Sequence, residues 1–171
     1  GIGVWALFSN EFLEADGVRY FNSDNTEKLL SSMADREQII KTVVDYTGQY
    51  GIDGINIDFE SISQDCADDY IEFIRELSIA CRDNNIILSI NNYVPKYTSY
   101  YNRREQGIVA DYVVIMGYDE TSAGSDTPGP VASQKFVQEG ITDTLALVQK
   151  DKVINGIPFY TRVWSTDESG G

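Results

Sequence analysis

Short apolar runs alternate with longer amphipathic segments along this chain. The short runs are rich in β-branched residues and end near Gly, Pro, Asn or Asp, which predicts strands. In the longer segments apolar residues recur every three or four positions, the spacing of an amphipathic helix. The predicted strands are residues 4–8, 52–59, 86–90, 111–116 and 153–157, and the predicted helices are residues 35–49, 67–82, 100–106 and 133–149.

Strands and helices alternate strictly in this prediction, and the strands are apolar on both faces. Both features are typical of a parallel sheet covered by helices. Two architectures fit: a doubly wound open sheet, or part of a (β/α)₈ barrel. No Gly-rich phosphate-binding loop follows the first strand, which counts against a nucleotide-binding sheet. Five strands are too few for a complete eight-stranded barrel. The 171 residues are also fewer than the about 250 that a complete barrel typically takes.

Composition and charge narrow the chemistry that we expect. The 171 residues include 13 Lys and Arg against 27 Asp and Glu, a net charge of −14, which disfavours a nucleic-acid partner. The chain has no His, so Ser-His-Asp catalysis and His-ligated metal sites are excluded, and we expect neither a metal nor a cofactor. No run approaches the roughly 20 apolar residues of a membrane span, so we expect no membrane insertion.

The two cysteines are predicted to be reduced. Cys66 and Cys81 lie at opposite ends of one predicted helix. A helix of that length separates them by about 22 Å, whereas a disulfide needs Cα atoms within roughly 7 Å.

Polar and apolar residues alternate at the end of the second predicted strand. Asn56, Asp58 and Glu60 are separated by single apolar residues, so the three polar side chains share one face. The Cα atoms of Asp58 and Glu60 are then about 6.6 Å apart. Two carboxyl side chains that project together from the C-terminal end of a strand suit a glycosidase. The alternative is an exposed polar strand face, which the apolar residues between them disfavour because they need burial.

Residues 53–60, DGINIDFE, resemble the DGxDxDxE signature of the family 18 glycoside hydrolases, the chitinase-like family. Residues 111–119, DYVVIMGYD, resemble the family's M-x-Y-D strand, and residues 154–164, INGIPFYTRVW, resemble its G-[IL]-P-x-Y-x-R-x-W strand. Residues 128–164 are especially similar to the bacterial cell-wall and spore-associated branch. The resemblance extends over most of the chain, from residue 4 to residue 164.

This resemblance implies a (β/α)₈ barrel of which the chain supplies strands three to seven. We therefore expect one partial catalytic domain over residues 1–171. Such a fragment would expose two sheet edges, which predicts either a larger parent protein or self-association through the open edges. We also expect little or no activity from these residues alone, because the other strands would build part of the cleft.

The resemblance also implies roles for individual residues in a substrate-assisted, retaining hydrolysis. Glu60 matches the general acid and base, and an apolar site together with Asp58 is expected to raise its pKa. Asp58 matches the carboxylate that orients the acetamido N–H of the sugar, and Tyr118 the tyrosine that bonds the acetamido oxygen. Asp119 matches a sugar-binding carboxylate, and Met116 is expected to line the floor of the sugar site.

Other candidates for sugar binding carry alternative interpretations. Asn56 stands where the family usually has Asp, and we expect its amide to donate a hydrogen bond to Asp58. Tyr93 could face the cleft or be merely half-buried. Three alternating residues near the last strand could form a wall that stacks on sugar, or simply an amphipathic surface: Tyr160, Arg162 and Trp164.

The sequence thus predicts a hydrolase of polymers containing β-1,4-linked N-acetylglucosamine, either chitin or peptidoglycan. The resemblance implies a secreted, cell-wall or spore-associated bacterial protein. Two alternatives stay open: a carbohydrate-binding protein of the same fold that does not cleave, and an inactive structural fragment. Glu60 favours the enzyme, because loss of this acid would be the simplest route to an inert binder.

Overall fold

The computed structural model describes residues 1–165, and its strands and helices alternate much as predicted. The elements are β1 (Trp5–Ser9), β2 (Glu11–Leu13), β3 (Arg19–Phe21), α1 (Ser23–Leu30), α2 (Met33–Tyr50), β4 (Gly54–Asp58), α3 (Ala67–Asp83), β5 (Ile87–Asn92), α4 (Arg103–Val109), β6 (Tyr112–Met116), α5 (Gln134–Leu145) and β7 (Val153–Gly156).

Five strands form one parallel sheet in the order β1-β4-β5-β6-β7. Each strand therefore lies beside the strand that precedes it in this series. A doubly wound sheet reverses its direction at a switch point, whereas a barrel adds strands in sequence, so the observed order matches a barrel. The predicted parallel α/β fold is confirmed. Within the described residues β1 and β7 each pair along one side only, and self-association through these edges stays a prediction.

One segment contains elements that the hydrophobic pattern did not predict. Between β1 and α2 the chain forms a small antiparallel hairpin from β2 and β3, followed by helix α1. Strands of three residues are too short to show a period of two. Helix α1 begins at the cap residue Asn22, whose side chain accepts a hydrogen bond from the backbone N–H of Asn25.

Capping interactions set where helices α2 and α4 begin. Helix α2 is capped by Ser32 rather than by Asp35, because the Ser32 hydroxyl accepts a hydrogen bond from the Asp35 N–H. Helix α4 begins after Asn102, whose φ of 38° breaks the helical path from residue 100. Helix α5 ends at Leu145, four residues earlier than predicted, and a short 3₁₀ turn follows at Lys150–Lys152.

The main core lies between the sheet and helix α3. The apolar residues of β4 contact an aromatic cluster in which the rings of Phe59 and Phe73 stack with centroids 5.4 Å apart. The two cysteines are buried in this core and form no disulfide, as predicted. Burial of this face fixes the opposite face of β4, which carries the polar side chains described next.

Candidate active site

The predicted alternation on β4 is present in the structure. Asn56, Asp58 and Glu60 are all partly exposed, whereas the apolar residues between them are buried. Asp58 is the last residue of β4 and Glu60 lies just beyond it, so both side chains project from the C-terminal end of the strand. This is the end of a parallel barrel at which active sites are found.

A cavity of about 510 Å³ opens beside these carboxyl groups. The ends of β4, β5 and β6 contribute most of its wall. The lining residues are Asp58, Glu60, Tyr93, Val94, Tyr97, Thr98, Met116, Tyr118, Asp119, Ser122 and Phe136. Six of the predicted site residues therefore meet in one cavity: Glu60, Asp58, Tyr118, Met116, Asp119 and Tyr93.

Glu60 is held both by its backbone and by its carboxyl group. The buried Asn10 side chain accepts from the Glu60 N–H at 2.8 Å and donates to the Glu60 carbonyl at 2.8 Å. The Tyr93 hydroxyl donates to Oε2 of the Glu60 carboxyl group. Burial raises the pKa of Glu60, the hydrogen bond from Tyr93 lowers it, and the charge of Asp58 raises it further. The net result is a raised pKa, which suits a general acid.

Asp58 ends a chain of polar contacts that runs along the sheet. Asn91 on β5 donates a hydrogen bond to Oδ1 of Asp58 at 2.9 Å. The amide nitrogen of Asn56 donates to Asn91 at 3.0 Å and to Ser89 at 2.7 Å. The expected direct bond from Asn56 to Asp58 is therefore wrong, because Asn91 stands between them. Asn91 was not predicted, although Ser89 and Asn91 also alternate with apolar residues on their strand.

Tyr118 and Met116 both line the cavity, and their roles in sugar binding stay predictions. Met116, the last residue of β6, is buried in the cavity wall. Within residues 1–165 the Tyr118 hydroxyl makes no hydrogen bond and is free to receive a ligand oxygen. Burial raises the pKa of this hydroxyl, and the charges of Asp58 and Glu60 add to the effect, so it stays protonated as a donor.

Asp119 is engaged by two of the three residues predicted as a sugar-binding wall. Its Oδ1 accepts from the Tyr160 hydroxyl at 2.7 Å and pairs with the Arg162 guanidinium at 2.7 Å. Trp164 instead donates its indole N–H to the carbonyl of Gly129, at 3.1 Å. None of these three residues lines the cavity, and neither does Asn56. Their contact with sugar stays a prediction.

Residues 1–165 offer neither a cluster of metal ligands nor a membrane-spanning helix. No three His, Cys, Asp or Glu side chains there lie close enough together to hold a metal ion. No helix in the same range is long and apolar enough to cross a membrane.

The fold and the site together define a class of protein. A parallel sheet built in barrel order, with carboxyl groups and tyrosines around one cavity at its carboxyl end, suits a glycoside hydrolase. The family model of the glycosyl hydrolases family 18 matches residues 19–171. The chain belongs to this family, which confirms the resemblance seen in the sequence.

Individual relatives agree with this assignment. The chain is 31% identical over 151 residues to the Bacillus subtilis protein named as sporulation-specific glycosylase YdhD, a match that covers 84% of this chain and 35% of the relative. It is 25% identical over 150 residues to the cortical fragment-lytic enzyme of Bacillus anthracis, again over 84% of this chain and 35% of the relative.

Solved structures confirm the fold. The crystal structure of YdhD superimposes with a TM-score of 0.81 at 28% identity, covering 90% of this chain and 51% of that chain. A chitinase from Chromobacterium violaceum gives a TM-score of 0.81 at 26% identity, covering 92% of this chain and 50% of that chain. The chain thus spans about a third to a half of the length of these relatives, as a partial barrel would.

Proposed function

We propose that this chain carries the catalytic carboxyl groups of a glycosidase that cleaves polymers containing β-1,4-linked N-acetylglucosamine. The observation that carries the proposal is the position of Glu60, with its raised pKa, beside Asp58 and Tyr118 in one cavity. Membership of family 18 supports the reaction class. The names of the relatives, a chitinase and a cortical fragment-lytic enzyme, support chitin or peptidoglycan as the substrate.

In the first step of the proposed reaction, Glu60 acts as an acid. Its proton passes to the glycosidic oxygen while the bond between that oxygen and the anomeric carbon breaks. The acetamido oxygen of the same sugar bonds to the anomeric carbon and forms an oxazolinium ion. Burial of Glu60 keeps a larger fraction of its carboxyl group protonated than in water, which favours this step.

In the second step, Glu60 acts as a base. It accepts a proton from a water molecule whose oxygen bonds to the anomeric carbon as the acetamido oxygen leaves. The Glu60 proton is thereby restored, and the configuration of the sugar is retained.

Two neighbours of Glu60 are placed to stabilise the intermediate. Asp58 is proposed to accept the acetamido N–H and to stabilise the positive charge of the oxazolinium ion. Asn91 already donates to one Asp58 oxygen, which leaves the other for the sugar. Tyr118 is proposed to donate its hydroxyl to the acetamido oxygen and so aim it at the anomeric carbon.

The relatives also suggest where the protein acts. One is named as a sporulation-specific glycosylase and another as a cortical fragment-lytic enzyme. We infer an association with the cell wall or the spore of a bacterium.

The test is Glu60→Gln in the complete protein, assayed with a fluorogenic N-acetylglucosamine oligomer. We expect hydrolysis to be lost while the circular dichroism spectrum and oligomer binding persist. Glu37→Gln is the matched control, because Glu37 is an exposed glutamate of α2 that does not line the cavity. Unchanged turnover in Glu60→Gln would remove Glu60 from the acid role. Binding without turnover in the unmodified protein would favour the non-catalytic carbohydrate-binding protein.

A further inference from the structure

Tyr93 contacts the carboxyl group on which the proposed reaction depends. We propose that Tyr93 is a positioning residue for Glu60: its hydroxyl holds Oε2, so that Oε1 is the oxygen that gives and takes the proton. The catalytic meaning of this proposal rests on the proposed function, whereas the contact can be tested without any activity. The sequence suggested only that Tyr93 could face the cleft and bind sugar.

The hydrogen bonds of the Glu60 carboxyl group are asymmetric. Tyr93 follows β5, the strand beside β4, and donates its hydroxyl to Oε2. Within residues 1–165 no hydrogen bond reaches Oε1. An oxygen that already accepts a hydrogen bond is the poorer place for the acidic proton, because that proton would face the Tyr93 hydroxyl hydrogen. Oε1 is therefore the oxygen left for the transferable proton.

Tyr93 is in turn fixed by a buried arginine. Arg103 at the start of α4 is 2% exposed and donates to the Tyr93 carbonyl at 2.8 Å. It also donates to the carbonyl and the hydroxyl of Thr98. One guanidinium therefore holds both ends of the segment from residue 93 to residue 98. No salt bridge joins Arg103 to a carboxylate within residues 1–165, and burial lowers the pKa of its guanidinium to about 10.

Burying a cation without a carboxylate partner costs desolvation free energy. The fold accepts this cost at the segment that Arg103 holds. The same segment forms one wall of the cavity through Tyr93, Val94, Tyr97 and Thr98. Because Arg103 binds the Tyr93 carbonyl, the backbone from which the phenol extends is held without substrate, and the phenol itself contacts Glu60. Preorganisation of this kind is what an acid and base group requires of its neighbours.

The charges around Glu60 oppose its ionisation, so the hydrogen bond from Tyr93 should change its pKa measurably. Glu60 is faced by Asp58 from β4, by Glu11 from β2 and by Asp119 from the segment after β6, and all three negative charges disfavour its ionised form. Tyr93 opposes them, because a donor stabilises the carboxylate. Removal of the hydroxyl should leave Glu60 protonated to a higher pH. In both proposed steps the exchanged proton moves through Oε1, and Tyr93 keeps its own proton.

The direct test is a titration of Glu60 in Tyr93→Phe by NMR with ¹³C-labelled glutamate carboxyl groups. The Glu60 signal is identified by its loss in Glu60→Gln. We expect its midpoint to rise by about one pH unit, the effect of losing one hydrogen bond to a charged group. Tyr97→Phe is the matched control, because Tyr97 lines the same cavity without a hydrogen bond to Glu60. An unchanged midpoint in Tyr93→Phe would overturn the proposal.

A second readout uses turnover by the complete protein with the fluorogenic oligomer. We expect kcat to fall about tenfold with little change in KM, and the alkaline limb of kcat/KM to move upward in pH with the Glu60 titration. A raised KM with an unmoved pH profile would instead make Tyr93 a sugar contact and refute the positioning role. If the unmodified protein has no turnover, the proposed function fails, and the titration still decides whether Tyr93 controls Glu60.

Discussion

The side chain of Asn10 links the end of β1 to the backbone of Glu60, and its removal should destabilise the fold at that point. Asn10 is 4% exposed and makes three hydrogen bonds: two with the backbone of Glu60, at 2.8 Å each, and one to the Thr26 hydroxyl at 2.9 Å. Asn10→Ala removes all three and leaves the partly buried N–H and carbonyl of Glu60 without their Asn10 partner.

The expected cost follows from these contacts. A typical intramolecular hydrogen bond contributes about 1 kcal/mol, so the free energy of unfolding should fall by about 3 kcal/mol. For a chain of this size that loss corresponds to a decrease in Tm of roughly 6–12 °C. The measurement is urea unfolding, followed by far-UV circular dichroism, with the m-value compared between the variants.

Asn25→Ala provides the control for this prediction. Asn25 lies on the exposed side of α1, near Thr26, and its side chain makes no hydrogen bond within residues 1–165. We expect it to change the free energy of unfolding by less than about 0.5 kcal/mol. If Asn10→Ala costs no more than this control at an unchanged m-value, the three hydrogen bonds do not hold the segment before Glu60 in place, and the reasoning fails.

Two further predictions concern ionisable groups. The raised pKa of Glu60 means that its charge destabilises the fold, so Glu60→Gln should increase the free energy of unfolding at neutral pH. That gain should vanish as the pH falls below about 4.3, the ordinary pKa of an unfolded glutamate, and a gain that persists there would contradict the explanation. Burial raises the pKa of the Cys66 thiol to about 11 and that of Cys81 to about 12. Both thiols should therefore react with Ellman's reagent only in urea, and rapid reaction of the folded protein would contradict their burial.

The catalytic candidates could be predicted because their signal is local. Asn56, Asp58 and Glu60 alternate with apolar residues, and a strand with one buried face must place such residues on the other. The order of strands and helices could be predicted for the same reason, since periods of two and 3.6 are visible in short windows. The family motifs are local in the same way, because each lies within a single stretch of about ten residues.

Contacts between distant residues could not be predicted in this way. Asn10 is 50 positions from Glu60, and Tyr93 and Asn91 are each 33 positions from the carboxylates that they bind. The register of three parallel strands brings these side chains together, and no pattern within one strand encodes that register. The same limit explains Asn56, whose expected partner was its neighbour on the strand rather than Asn91 on the next.

The sequence alone therefore determined the elements of the parallel sheet and most of its helices, the parallel α/β class and the strand that carries the two carboxyl groups, because each depends on residues close together in the chain. Only the tertiary structure decided how those groups are held. It places Asn10 against the backbone of Glu60, Tyr93 against its carboxyl group and Arg103 behind Tyr93. These contacts depend on which strands are neighbours and on how far each is shifted, and folding sets both through the packing of the whole sheet.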